Sequence, residues 1–285
     1  MPSIRILSGL LFVVAAVADS QDVVRRASAL YQRTEYEGSL HVLAEDPALG
    51  ADGDLLSGKN YFMLSDYKKA TEFFEKALAL SPNNSEYELW LGRAWGRRAE
   101  TSGWLKAGFN ASKARQCFER AVALDPHNRE AKNDLFDFYL NAPGFLGGGL
   151  EKAEAIAKSI ASERAPESEF EEAQIADRRK DYAGAEAHLR RAMELAPNEA
   201  GRIVDLARYV AKRGRLSESD ALFQQAKRLA PSKPTVAFAE ARVDIENHRN
   251  LEQARGLLEG YLHASLTPDD PPRQEAEKLL RRAGG

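Results

Sequence analysis

The sequence predicts an all-α fold, a solenoid of about seven antiparallel helix pairs finished by a polar capping helix at the C-terminal end. Two observations predict it. Five segments end alike on a proline, and four of these superpose without a gap in a small, bulky, alanine pattern that helical periodicity places on one face.

The five segments are YKKATEFFEKALALSP (67–82), SKARQCFERAVALDP (112–126), GLEKAEAIAKSIASERAP (149–166), YAGAEAHLRRAMELAP (182–197) and LSESDALFQQAKRLAP (216–231). In four of them a small residue stands twelve before the proline (Ala70, Ala114, Ala185, Ser219) and a bulky one eight before (Phe74, Phe118, Leu189, Phe223). Alanine stands five before (Ala77, Ala121, Ala192, Ala226). Alanine lets a neighbouring helix approach, the bulky residue fills the space between pairs, and proline, lacking an amide donor, stops the helix. A second amphipathic helix precedes each segment. The pairs are expected over about 20–50, 51–84, 85–128, 129–166, 167–199, 200–233 and 234–266, in one domain over 19–285 with the cap over 267–285.

These residues resemble the tetratricopeptide repeat (TPR), a helix-turn-helix unit of about 34 residues. Residues 51–84 carry Gly58, Tyr61, Ala70, Phe74, Ala77 and Pro82 in the family's register, and Pro197 and Pro231 are one repeat apart. Two departures stand out: Ala173 occupies a position where glycine is usual, and the last pair lacks its terminal proline. The stretches LWLGRAWGRRAE and APGFLGGGLEKA further resemble exported bacterial repeat proteins and, more distantly, the regulator-of-microtubule-dynamics proteins.

The resemblance implies a right-handed superhelix whose first helices line a concave groove. The residues it would place there are Lys59, Phe62, Arg93, Arg97, Asn133, Asp137, Gln174, Arg178, Arg208 and Lys212. Basic and amide donors dominate that set, which suits a protein partner, through an extended peptide or an acidic segment. The carboxylate clamp of the chaperone-tail-binding members is not recognisable.

Two places break the repeat. The third pair carries about ten extra residues around ETSGWLKAGFN, and the fourth has an unusual turn, NAPGFLGGG. Both are expected to interrupt the turn inside a pair. Their apolar residues, Trp104, Leu105 and Phe109 in one and Phe145 and Leu146 in the other, are expected either to close as a small satellite core or to stay exposed as a docking ridge.

The N-terminus reads as an export signal. Arg5 precedes an uncharged apolar stretch, 6–18, that ends in the small-x-small pattern Ala16-Val17-Ala18, so cleavage is expected after Ala18. Thirteen apolar residues fall short of a membrane span. The mature protein is therefore expected in a periplasm or outside the cell, without a stable span.

The remaining chemistry is sparse. With 40 basic and 43 acidic side chains the net charge is −3, and no segment forms a nucleic-acid groove. Cys117 is the only cysteine, which excludes an internal disulfide and a Cys-based zinc site, and it reads as a buried thiol. His41, His127, His188, His248 and His263 show no metal-ligand spacing, so neither metal nor cofactor is expected. Gly147-Gly148-Gly149 precedes a helix but lacks the lysine of a phosphate loop and reads as a turn. Glycosylation sequons begin at Asn83 and Asn110. The reading is a non-catalytic binding scaffold; the alternatives are a small-molecule capture protein serving a transporter, or a hydrolase with an unrecognised site.

Overall fold

The computed structural model describes residues 20–46 and 49–284, so the expected export segment and the expected cleavage point after Ala18 lie outside the described residues. Those residues form helices and turns, with no strand among them. Seven helix pairs follow one another: α1 (20–32) with α2 (Tyr36–Leu43), α3 (Gly50–Met63) with α4 (Tyr67–Leu80), α5 (Ser85–Thr101) with α6 (Trp104–Leu124), and α7 (Arg129–Asn141) with α8 (Leu150–Ala161). Then come α9 (Ala165–Arg178) with α10 (Tyr182–Leu195), α11 (Ala200–Lys212) with α12 (Leu216–Leu229), α13 (Pro234–Glu246) with α14 (Leu251–His263), and the terminal α15 (Arg273–Gly284).

The chain divides into two compact units between Leu135 and Phe136, within α7. A repeat array has no single core, because each pair buries its apolar face mainly on its neighbours. In the first unit Ala27, Tyr31, Leu43 and Leu56 form one cluster, and Phe74 and Phe118 are buried farther along. In the second, Leu189, Leu206, Val210 and Phe223 form one cluster, and Phe238, Leu258, Tyr261 and Leu279 form another. The last of these comes from α15, which covers the apolar face of the final pair as a cap. All twelve pattern positions are buried, from fully enclosed Phe74 and Phe223 to Phe118 at 7% exposure.

Five pairs share one turn. Thr34, Ser65, Lys180, Gly214 and His248 each take a positive φ, between 53° and 80°, just after the first helix. The next amide then reaches back five residues, as from Asp66 N–H to the Tyr61 carbonyl (2.9 Å) and from Asp181 N–H to the Ala176 carbonyl (2.9 Å). Asp66 and Asp181 cap the second helix through the amides of Lys69 and Gly184.

The third and fourth pairs depart from this turn, at the two places where the sequence breaks its repeat. The extra residues of the third pair are not an inserted turn: they lengthen α5 to 17 residues and α6 to 21, with only Ser102 and Gly103 between. ETSGWLKAGFN has no proline, and Gly108 is accommodated inside α6, so continuing both helices satisfies their backbone groups better than a loop does. In the fourth pair a short 3-10 turn, Gly144–Leu146, leads to Gly147 at φ 95°. A Cβ on Gly148 would sit 1.9 Å from the Ala142 carbonyl oxygen. Pro166, expected to end α8, instead lies in the first turn of α9, where no amide donor is needed.

Candidate functional site

In the second unit, the first helices of successive pairs line a cleft of about 710 Å³. It brings together four of the expected groove residues: Gln174 and Arg178 on α9, Arg208 and Lys212 on α11. Phe170, Ala173, Leu140 and Val243 give it an apolar floor, and Tyr209 stands beside them. Asp137 is exposed on α7 but is not part of the lining.

The acids of this cleft went unnoticed in the sequence. Asp177 accepts from Lys212 at 2.9 Å, and Asp205 accepts from Arg202 at 3.1 Å. Burial raises Asp205 to about 6 against the pull of Arg202 and Arg208. Arg178 and Arg208 are both exposed, and among the described residues neither forms an ion pair, although the Arg208 charge acts on Asp205. The Asp177–Lys212 partnership is visible in sequence only as opposite charges about one repeat apart.

In the first unit most of the expected groove residues are engaged by neighbouring side chains. Lys59 pairs with Glu86 at 2.6 Å and lies 5.0 Å over the Trp90 ring. Phe62 meets Tyr67 and Trp90 edge-on. Arg93 binds Asp134 at 2.5 Å and Glu130 at 2.9 Å and stacks on Trp90 at 4.8 Å. Burial lifts the Asp134 pKa, and Arg93 opposes it. Arg97 reaches the Tyr67 hydroxyl at 3.3 Å and pairs with Glu100. Asn133 is half-buried, with its side-chain oxygen lacking a partner among the described residues. Lys59 and Arg93, expected as donors to a partner, are thus engaged by this chain's own acids.

The ridge residues are exposed. Trp104 is 84% exposed, Leu105 75% and Phe109 61%, so they do not form the closed satellite core that was one expectation. Helix extension explains this, because the first turn of α6 projects past the layer of buried side chains. Among the described residues, Phe109 is the one of these three with an aromatic neighbour, meeting Trp95 edge-on at 6.1 Å. In the second unit Phe145 is 87% exposed and Leu146 is half-buried.

Other candidate chemistry resolves into structure. The amides of Gly147, Gly148 and Gly149 donate to the carbonyls of Gly144, Pro143 and Tyr139, so the glycine run has no amide left over for a phosphate. Burial, reinforced by nearby Glu88, pushes the Cys117 thiol up to about 12, and it stays protonated. Asn110, an expected sequon, is buried and donates to the Arg98 carbonyl and the Ser102 hydroxyl, leaving no room for a glycan. Among the described residues no group of three or more His, Cys, Asp or Glu side chains is placed to hold a metal ion. Nor is any described helix long and apolar enough to cross a membrane.

Comparison with known proteins bears on the fold. The tetratricopeptide repeat model matches residues 56–84. A tetratricopeptide repeat protein from Parabacteroides merdae aligns over 93% of this chain and 99% of its own, at 12% identity and TM-score 0.61. Yeast Tom70 aligns over 87% of this chain and 48% of its own, at 17% identity and TM-score 0.56. The Cut9–Hcn1 hetero-tetramer of the APC/C provides a third likeness, over 95% of this chain and 52% of the other, at 16% identity and TM-score 0.50. At these identities the likeness shows the fold. No curated protein matches the chain in sequence.

Proposed function

We infer that this tetratricopeptide-repeat protein is a non-catalytic interaction module, and that the groove of its second unit takes an extended, acidic peptide of a protein partner. One observation carries the reading: on a cleft where Asp177, Asp205 and Lys212 are already partnered, Arg178 and Arg208 remain exposed and unpaired among the described residues and outnumber Glu246, the remaining acid of the lining. Guanidinium groups recognise carboxylates through paired, planar donors. The apolar floor of Phe170, Leu140 and Val243 would take the side chains between the acids. Among the structural relatives, Cut9 is recorded in an assembly with Hcn1, which fits a protein-binding role for this fold.

The test is selection of a displayed peptide library on the full chain, followed by calorimetry of the selected peptides against wild type and Arg178→Glu/Arg208→Glu. Acid-rich peptides that lose most of their affinity in the double variant, with circular dichroism unchanged, support the reading. Neutral or basic selections, or binding indifferent to both reversals, reject it. Export is the second part of the proposal, and it rests on the N-terminal sequence. Material recovered outside the cytoplasm should begin at Asp19; full-length protein retained in the cytoplasm would overturn that part.

A further inference from the structure

We propose that the first turn of α6 docks on an anionic lipid surface, with Trp104, Leu105 and Phe109 entering the headgroup boundary. The inference does not depend on the groove. At 100° per residue, Trp104, Leu105 and Phe109 span one outward stripe, opposite Asn110 and Ala114, which face the core. The stripe is 84%, 75% and 61% exposed at its three members. Tryptophan and phenylalanine favour the membrane interface, where an apolar body and a wet surround are both satisfied.

Charge selects the occupant. From Gly103 to Arg115 the chain carries no acidic residue, although its overall charge is −3. Arg115 is paired with Glu119 at 2.9 Å, which leaves Lys106 and Lys113 flanking the stripe. Lys106 is exposed, and Lys113 lies along Phe109, 5.8 Å from the ring, so each can extend its ammonium beside the apolar tip. An apolar tip rimmed by lysines complements acidic headgroups. A protein partner fits less well, because the tip is a projecting turn of three side chains, far short of the roughly 800 Å² per partner of a specific interface.

The tip is also held firm. Asn110 ties the end of α5 to α6 through the Arg98 carbonyl and the Ser102 hydroxyl, both at 3.2 Å. Phe109 rests on Trp95, which is itself buried under Arg98 at 4.0 Å. Little ordering is left for the moment of docking.

The experiment is cosedimentation of the full chain with vesicles of phosphatidylcholine alone and with part of it replaced by phosphatidylglycerol. Wild type should bind the anionic vesicles and show a blue shift of tryptophan emission that is absent in Trp104→Ser. Trp104→Ser/Leu105→Ser changes two exposed side chains and should leave circular dichroism intact while lowering affinity about tenfold or more, as should Lys106→Glu/Lys113→Glu. Both pairs keep residues 6–18, so vesicle binding through that apolar stretch would survive them and would overturn the proposal. Equal binding to neutral vesicles overturns it too. Loss of a protein partner in Trp104→Ser/Leu105→Ser, with vesicle binding absent in wild type, reassigns the tip to protein docking.

Discussion

The Phe74 ring lies 2.4 Å from the point where a Cβ would stand on Gly58. Helix α3 thus rests directly on the ring, and Gly92 and Phe118 repeat the arrangement one pair later at 2.6 Å. Phe74 is fully buried and has nowhere to turn. Gly58→Ala should therefore destabilise by about 1–3 kcal/mol despite alanine's better helix propensity. Phe74→Leu shortens the ring's reach, so adding it to Gly58→Ala should cost less than the sum of the two single changes. Urea denaturation of the four proteins measures the coupling; strict additivity would show that the two residues do not share the space.

Arg93 yields a different expectation from the one its repeat position suggested. Its side chain is 23% exposed and is held by Asp134 and Glu130, so Arg93→Glu places a third acid among two. The loss should be about 2 kcal/mol or more, read as a lower urea midpoint, because a partly buried pair left without its cation strands the remaining charges. Arg178→Glu, on an exposed side chain without an ion pair, should stay within about 0.5 kcal/mol of wild type. Equal stability of the two variants would remove the distinction between the engaged and the available arginines.

Much of this architecture was legible in the sequence because it rests on local spacing. Ala70, Phe74 and Ala77 reveal a helical face on their own, and the prolines at 82, 126, 197 and 231 mark ends that no tertiary contact could move. What the sequence hid depends on contacts between helices. Glu130 and Asp134 lie about one repeat beyond Arg93, and nothing at Arg93 itself announces them. The segment around Trp104 misled for a related reason, since a break in a repeat looks the same whether the extra residues form a loop or extend two helices. Ala173 was legible only as a departure. In the structure it shares a cluster with Leu189, whose side chain is smaller than the phenylalanines that face Gly58 and Gly92.

The shared turn makes a clean backbone test. Gly214 takes φ 80°, and a Cβ there would meet nothing within 4 Å, so Gly214→Ala costs only backbone strain, about 1–2 kcal/mol. Lys180 occupies the equivalent turn at φ 64° with a side chain. Lys180→Gly should relieve that strain and raise the thermal midpoint slightly, the gain being reduced by the greater freedom of an unfolded glycine. Changes of the same sign in both variants would contradict a common left-handed turn.

Glu171 gives the second unit a pH dependence whose sign can be worked out. It is 2% exposed, and its Oε2 has no hydrogen-bond partner among the described residues. Burial first, then the charges of Glu167, Asp137 and Glu172, raise it from 4.5 to about 8, and Arg202 opposes them. Between those values the folded protein keeps a proton that the unfolded chain has lost, so stability falls as pH rises across the window. Asp205, raised by burial from 3.8 to about 6, adds a slope of the same sign below that pH. Glu171→Gln is nearly isosteric and carries no charge. It should match wild type in stability near pH 4.5, exceed it at pH 8, and lose the part of the slope that Glu171 contributes between them. Urea midpoints of the two proteins from pH 4 to pH 9 read this directly. A wild-type midpoint that rises with pH between 5 and 8, or a variant that retains the full wild-type slope there, would mean that Glu171 is charged in the folded state.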